Sequence, residues 1–190
     1  MVRRVCVIGA ESTGKTTLAA ALSRELDAPM VHEFGRHYSE AMPDATRYRW
    51  TDDDFRAIAG AQDRFEDDAA RWAGPLLICD TNSFVTVVFQ EAYLGRSSPE
   101  IDAAARSRHY DLFLLCDPET PFAPDVTGLR RDGGQRQWMH ERYVDYLADQ
   151  ATPHVLVAGD PARRLRVATG AVAQRNAHGW PARHNGALSG

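Results

Sequence analysis

One stretch near the amino terminus constrains the fold more than any other part of the chain. It reads Gly9-Ala10-Glu11-Ser12-Thr13-Gly14-Lys15-Thr16 and fits the pattern G-x-x-x-x-G-K-[ST]. The apolar run Val5 to Ile8 precedes it, and Leu18, Leu22 and Leu26 follow it at helical spacing. A buried strand that turns through a glycine-rich loop into a helix surrounds phosphate groups with backbone N–H donors. The sequence therefore predicts a phosphate-binding P-loop, with an ordinary strand-to-helix turn as the structural alternative.

Each part of this loop has a physical role in binding a nucleotide. Gly9 and Gly14 allow the backbone to turn and to approach the phosphates closely. Lys15 is expected to reach the outer phosphates, and the hydroxyl group of Thr16 is expected to bind Mg²⁺. ATP and Mg²⁺ are therefore the predicted cofactors. The candidate nucleotide-binding residues are Gly9, Glu11, Ser12, Thr13, Gly14, Lys15, Thr16 and Thr17.

The composition suits a protein that acts on small molecules. The 190 residues are enough for one α/β domain with a sizeable core. The 22 Lys and Arg residues against 26 Asp and Glu give a net charge of −4, which offers no general attraction for nucleic acid or for an anionic membrane. Cys6, Cys79 and Cys116 lie in apolar runs and are interpreted as reduced core residues rather than reactive thiols. We expect a cytoplasmic protein, because we find neither a membrane-spanning segment nor a secretion signal, and the oligomeric state stays open.

The alternation of strands and helices predicts an α/β fold of the P-loop NTPase kind, with a five-stranded parallel sheet and helices on both faces. The strands are expected at Val5 to Ile8, Met30 to His32, Leu76 to Cys79, Tyr110 to Cys116 and Val155 to Val157. A long amphipathic helix is predicted from the cap at Thr51 to Trp72. We predict one domain over residues 1–173 and a flexible tail over residues 174–190, with a nucleic-acid-binding arm as the alternative for the arginine-rich end.

Acidic side chains follow two of the predicted strands. Glu33 comes after the second strand, and Asp80 comes directly after the third. The carboxyl ends of parallel strands meet at one edge of the sheet, where open α/β sheets bind their ligands. Stabilisation of a helix N-terminus is the structural alternative for both residues. We assign Glu33 to deprotonating an acceptor hydroxyl group and Asp80 to Mg²⁺, with the reverse assignment open.

The segment from Asp117 to Gln135 has the composition of a functional loop, because it lacks apolar periodicity and contains three prolines and three glycines. The flexible region after the fourth strand carries Arg130 and Arg136, and one of them is expected to contact the transferred phosphoryl group when this lid closes over ATP. A P-loop, two acids and an arginine-bearing lid form the layout of a small-molecule kinase. Motors and GTPases are disfavoured, because Thr81 rather than a second acid follows Asp80 and the chain has no Asn-Lys-x-Asp motif.

Several short motifs along the chain carry a family resemblance. Besides the P-loop they are Glu33-x-Gly35-Arg36-x-Tyr38, Ile58-Ala59 with Gln62, Asp80-Thr81-Asn82 with Thr86 and Phe89, Tyr93-Leu94-Gly95, and Pro121-Phe122 with Asp125, Gly128 and Arg130. The series resembles the ribosylnicotinamide kinase domain of NadR-type NAD-biosynthesis proteins, within the nucleoside and nucleotide kinase group. The resemblance implies ATP-dependent phosphorylation of the ribose 5′-hydroxyl group of nicotinamide riboside. Phe122 and the Val126-Thr127 pair depart from the family pattern, and the family's nucleotidyltransferase domain is not expected in this chain.

The candidate substrate-binding residues are Glu33, Arg36, Tyr38, Gln62, Asn82 and Asp125. Arg36 has a helix ion pair as its alternative role, and Tyr38 and Asn82 have core or capping roles. Gln62 lies on an apolar helix stripe, where its amide needs a partner such as a substrate base or a backbone carbonyl. The tryptophans interpreted as helix-packing residues rather than stacking platforms are Trp50, Trp72 and Trp138. A different nucleoside or nucleotide kinase and a non-catalytic ATP-sensing regulator are the competing functions.

Overall fold

Five parallel strands form a sheet in the computed structural model, which describes residues 2–42, 47–119 and 133–180. The strands are β1 (Arg3–Ile8), β2 (Met30–Val31), β3 (Leu76–Asp80), β4 (Leu112–Cys116) and β5 (His154–Val157). Their order across the sheet is β2-β3-β1-β4-β5, and each neighbouring pair is parallel. The predicted fold class is therefore confirmed.

Helices cover both faces of this sheet. In the described part of the chain they are α1 (Lys15–Glu25), α2 (Phe34–Glu40), α3 (Asp52–Trp72), α4 (Ser83–Leu94), α5 (Pro99–Ser107), α6 (Gly133–Ala148) and α7 (Pro161–His178). The alternating apolar side chains of the strands point to opposite faces, so the sheet separates two cores. One core packs α1 and α7 against the sheet, and the other packs α3, α4, α5 and α6 against the opposite face.

The topology brings the candidate residues to one edge of the sheet. β1 is the central strand, and its register pairs Val7 with Asp80 of β3. The P-loop leaves the carboxyl end of β1, and Glu33 follows β2 on the far side of β3. The loop, Asp80 and Glu33 therefore lie in that order toward the β2 edge, as expected for ligand binding at the carboxyl ends of parallel strands.

Three features differ from the sequence-based expectation. Helix α2, which contains Gly35 near its start, is expected only through the alternative roles of Glu33 and Arg36. Helix α7 continues to His178, beyond the boundary expected at residue 173. Arg136 lies within α6 rather than in a flexible segment. The predicted lid falls largely on residues 120–132, and Asp125 and Arg130 with it, outside the described residues.

Among the described residues, no helix combines the length and the apolar character that a membrane span requires. The three cysteines are buried and form no disulfide.

Candidate active site

Close packing of the P-loop explains its glycines. Gly9 has φ 150°, and a Cβ atom at this position would lie 3.0 Å from both Cβ and the carbonyl oxygen of Cys116 on β4. Gly14 is the N-cap of α1 and has φ 79°, in the left-handed region that favours glycine. Any larger residue would strain the backbone at both positions, so the loop can lie this close to β4 only with glycine there.

The P-loop side chains divide between its interior and the space in front of it. The Thr13 hydroxyl group donates to the carbonyl oxygen of Ala10 at 2.8 Å, and Nζ of Lys15 donates to the same oxygen at 2.9 Å. Glu11, Ser12 and Lys15 line a cavity in front of the loop. Thr17 is exposed on α1. Lys15 thus lines the cavity while its ammonium group donates to a backbone carbonyl that an anion could replace.

Asp80 and Thr16 form a polar pair beside the loop. Asp80 is 1% exposed, and the side chain of Thr16 forms a hydrogen bond with it. The Oδ1 atom of Asp80 is buried and has no hydrogen-bond partner among the described residues. Burial, followed by repulsion from the charge of Glu33, raises the pKa of Asp80 to about 6. A buried carboxylate oxygen next to a hydroxyl group fits a Mg²⁺ ion, which typically binds one or two carboxylates together with substrate phosphates.

The structure places Glu33 at the same cavity. Glu33 is the N-cap residue of α2, but its side chain makes no capping hydrogen bond. It lines the cavity together with Lys15 and Arg36, and its charge acts on Asp80. Glu33 thus lies both at the N-terminus of a helix, as its structural alternative expects, and at the cavity. Its carboxylate faces the space where an acceptor could lie.

The lining of the cavity is aromatic as well as polar. Its volume is about 110 Å³. The apolar wall is formed by Trp50, Phe55, Ile58, Val85, Phe89 and Tyr93. The ring centroids of Trp50 and Phe55 are 5.6 Å apart, those of Trp50 and Tyr93 are 5.8 Å apart, and those of Phe89 and Tyr93 are 6.2 Å apart. We call Trp50, Phe55, Phe89 and Tyr93 the aromatic wall.

One tryptophan, Trp72, differs from its interpretation as a packing residue. Trp50 packs against the core, as expected, and it also lines the cavity, where its Nε1 atom is buried without a hydrogen-bond partner among the described residues. Trp72 is 89% exposed at the end of α3. Trp138 packs against the core, as expected. The sequence signal for the aromatic wall is the i, i+4 pair Phe89 and Tyr93, which places two rings on one face of α4.

The amide of Gln62 has partners within the protein. Its Oε1 atom accepts a hydrogen bond from the backbone N–H of Phe34 at 2.9 Å, and its Nε2 atom donates to Glu66 at 3.1 Å. Glu66 is fully buried and also accepts hydrogen bonds from Tyr110 and Arg108. Gln62 lines the cavity, but its amide holds the start of α2, immediately after Glu33. A direct contact between Gln62 and a substrate stays a prediction.

The remaining predicted residues occupy different positions around the cavity. The Tyr38 hydroxyl group donates to Asp54 at 2.8 Å, and Tyr38 is not among the described residues that line the cavity. Asn82 lines it and also caps α4, because its Oδ1 atom accepts from the N–H of Val85 at 3.4 Å. Arg136 is 7% exposed, and burial lowers its pKa against the opposing effect of Glu11. Arg136 therefore lies near the P-loop, although on a helix.

Comparison with known proteins places this geometry in a family. A family model described as an AAA domain matches residues 4–164. The trifunctional NAD biosynthesis/regulator protein NadR of Salmonella typhimurium is 33% identical over 134 residues, which cover 70% of this chain and 32% of that protein. The protein of the same name from Escherichia coli is 33% identical over 132 residues, with the same coverage. The chain thus spans about a third of the length of the curated relatives it matches.

Solved structures share the fold. A crystal structure of NadR protein in complex with NR has a TM-score of 0.72 and 21% sequence identity, and the match covers 96% of this chain and 52% of that one. The structure of deoxyadenosine kinase from M. mycoides with products has a TM-score of 0.66 and 11% identity, with 90% of this chain and 99% of that one covered. The resemblance to the NadR-type kinase domain is confirmed, and the architecture is that of nucleoside kinase-like, ATP-binding P-loop proteins.

Proposed function

The chain belongs to the AAA domain family, and from this premise and its similarity to NadR we propose that it is an ATP-dependent nicotinamide riboside kinase. The reaction would transfer the γ-phosphoryl group of ATP to the ribose 5′-hydroxyl group and give nicotinamide mononucleotide. One observation carries the proposal. A single cavity is lined by the P-loop lysine, by Glu33 and by four aromatic rings.

The donor side of the reaction rests on the P-loop. Lys15 would leave the Ala10 carbonyl and bind the outer phosphates, where its charge stabilises the transferred group. Thr16 and Asp80 would hold Mg²⁺, which neutralises phosphate charge when it is bound. In the described residues no cluster of three or more His, Cys, Asp or Glu side chains could hold a metal ion by itself. Mg²⁺ would therefore arrive with the nucleotide, as is usual for this ion.

The acceptor side rests on Glu33. Its carboxylate faces the cavity and would accept the proton of the 5′-hydroxyl group as the oxygen attacks the γ-phosphorus atom. The bond between that phosphorus atom and the bridging oxygen breaks at the same time, and ADP leaves with the electron pair. Arg36 and Lys15 line the same cavity and would place positive charge near the transferred phosphoryl group.

The aromatic wall supports a cationic base. The nicotinamide ring of nicotinamide riboside is a pyridinium cation, and cations bind favourably over the faces of Trp, Tyr and Phe rings. Trp50, Phe55, Phe89 and Tyr93 would supply these faces in the lining of the cavity. A neutral purine would stack on the same rings but would gain nothing from their negative faces. This difference favours nicotinamide riboside over the deoxynucleoside alternative.

The test is phosphoryl transfer to a panel of acceptors. The protein is incubated with Mg-ATP and nicotinamide riboside, its reduced form, adenosine, deoxyadenosine or a nucleoside monophosphate, and products are read by mass spectrometry. The reduced riboside has the same shape without the positive charge and is the matched control for the cation–π argument. We expect kcat/KM to be highest for nicotinamide riboside. Preferred phosphorylation of deoxyadenosine would show that the protein is a deoxynucleoside kinase and not a nicotinamide riboside kinase. The absence of product from every acceptor would favour a non-catalytic ATP-sensing regulator.

A further inference from the structure

A buried arginine outside the cavity binds the back of the P-loop. Arg164 lies in the first turns of α7 and is 5% exposed. Its Nη1 atom donates to the carbonyl oxygen of Thr13, and its Nε atom donates to the carbonyl oxygen of Gly159 at 2.9 Å. Its Nη2 atom lies 3.5 Å from the carbonyl oxygen of Asp117. One guanidinium group thus joins the segments that follow β1, β4 and β5.

The contact with Thr13 constrains the direction of a neighbouring N–H group. The described peptide bonds are all trans, so the carbonyl group of Thr13 and the N–H group of Gly14 point in opposite directions within one plane. Because Arg164 holds the carbonyl group on its own side, the N–H group of Gly14 must point away from Arg164. In a P-loop, the backbone donors that bind an anion point to the inside of the loop.

Arg164 acts from behind the loop and not from the cavity. Glu11, Ser12 and Lys15 line the cavity, whereas Thr13, Asp117 and Gly159 are not among its described lining residues. A side chain at position 14 would lie next to Arg164, since a Cβ atom on Gly14 would be 3.4 Å from Nη1, an ordinary van der Waals distance.

We propose that Arg164 is a positioning residue for nucleotide binding, which fixes the Thr13–Gly14 peptide so that the Gly14 N–H group can bind a phosphate of ATP. The proposal rests on the proposed kinase function only in taking ATP as the ligand. The positive charge of Arg164 behind the loop also favours binding of the anionic phosphates. Arginine suits the role better than lysine, because its planar group offers several donors in a fixed geometry to different carbonyl oxygens.

The experiment measures the affinities of both substrates separately by calorimetry. The variants are Arg164→Met, which removes the donors, and Arg164→Lys, which keeps the charge. Arg166→Met is the matched control, because Arg166 is an exposed arginine on the same helix. We expect the Kd of Mg-ATP to rise about tenfold or more in Arg164→Met, by an intermediate factor in Arg164→Lys, and by less than about twofold in the control. The Kd of nicotinamide riboside should stay within about twofold in all three.

A second measurement follows the peptide itself. In spectra of the ¹⁵N-labelled protein, the amide resonance of Gly14 should shift when inorganic triphosphate and Mg²⁺ are added, and this shift should be reduced in Arg164→Lys. Unchanged affinity for Mg-ATP in both Arg164 variants would overturn the proposal, and so would an equal loss of affinity for both substrates. If the parent protein itself does not bind Mg-ATP, the kinase proposal fails instead, so the two failures are distinguishable.

Discussion

Replacing Asp80 by asparagine should stabilise the nucleotide-free protein while damaging its function. The carboxylate of Asp80 is 1% exposed and lies near the charge of Glu33, and these two causes raise its pKa from 3.8 to about 6. Asparagine has nearly the same shape but carries no charge that burial or Glu33 can penalise. Functional sites commonly contain such unfavourable groups, and their removal trades activity for stability.

The expected magnitude follows from the pKa. Each tenfold change in proton affinity is worth about 1.4 kcal/mol, so the ionised carboxylate costs the folded state about 3 kcal/mol at neutral pH. The folded protein binds this proton more tightly than the unfolded chain does. The free energy of unfolding of the parent protein should therefore fall by about 3 kcal/mol as pH rises from about 4 to about 6, and stay level above that. The asparagine variant should lack this fall.

The assay is urea unfolding of both proteins at several pH values between about 4 and 8, without nucleotide. The difference in free energy of unfolding between variant and parent cancels the other titrating groups and isolates Asp80. Glu33→Gln serves as a second comparison, because removing its charge should lower the pKa of Asp80 and narrow the pH window. Parallel stability curves for parent and Asp80→Asn across the whole range would refute the reasoning. Mg-ATP should raise the melting temperature of the parent at pH 7.5 by more than that of the variant.

Three further predictions concern catalysis. Lys15→Ala should remove nearly all phosphoryl transfer, read as ATP turnover, while circular dichroism shows an intact fold; turnover at the parent rate would contradict the P-loop assignment. Glu33→Gln should lower kcat by about 10²- to 10⁴-fold and leave the Kd of Mg-ATP nearly unchanged. If extra Mg²⁺ restores the activity of this variant, Glu33 is the metal ligand and Asp80 is the base. Trp50→Leu should raise the KM of nicotinamide riboside about tenfold, with the KM of ATP as the internal control, and an equal change in both would argue against a base contact.

Local sequence patterns were sufficient for the strands and the P-loop. Their signals, an apolar run followed by glycines or an acid, do not depend on distant residues. The meeting of Glu33 and Asp80 could also be predicted, because parallel topology by itself brings strand ends together. The roles of individual side chains within the site were less accessible.

The features that the sequence did not reveal depend on packing between elements. Helix α2 has only seven residues and contains Gly35, which costs about 1 kcal/mol in a helix, so its propensity is weak. The first N–H group of α2, that of Phe34, donates to the side chain of Gln62 on α3, which lies far away in sequence. In the same way, Trp50 meets Tyr93 only because α3 packs against α4. The sequence assigns Arg136 to the flexible segment because Gly133 and Gly134 have the composition of a loop, although α6 begins at Gly133.

The hydrogen bond between Gln62 and α2 means that different elements position Glu33 and Asp80. Strand β2 pairs with the sheet through only Met30 and Val31, so the position of Glu33 depends strongly on α3. The same helix carries Phe55 on the wall of the cavity, whereas Asp80 belongs to a central strand. Under the proposed kinase function, the acceptor half of the site therefore depends on the position of one helix, whereas the phosphate half depends on central strands. Displacement of α3 should in this case change acceptor specificity and leave phosphate binding nearly unchanged.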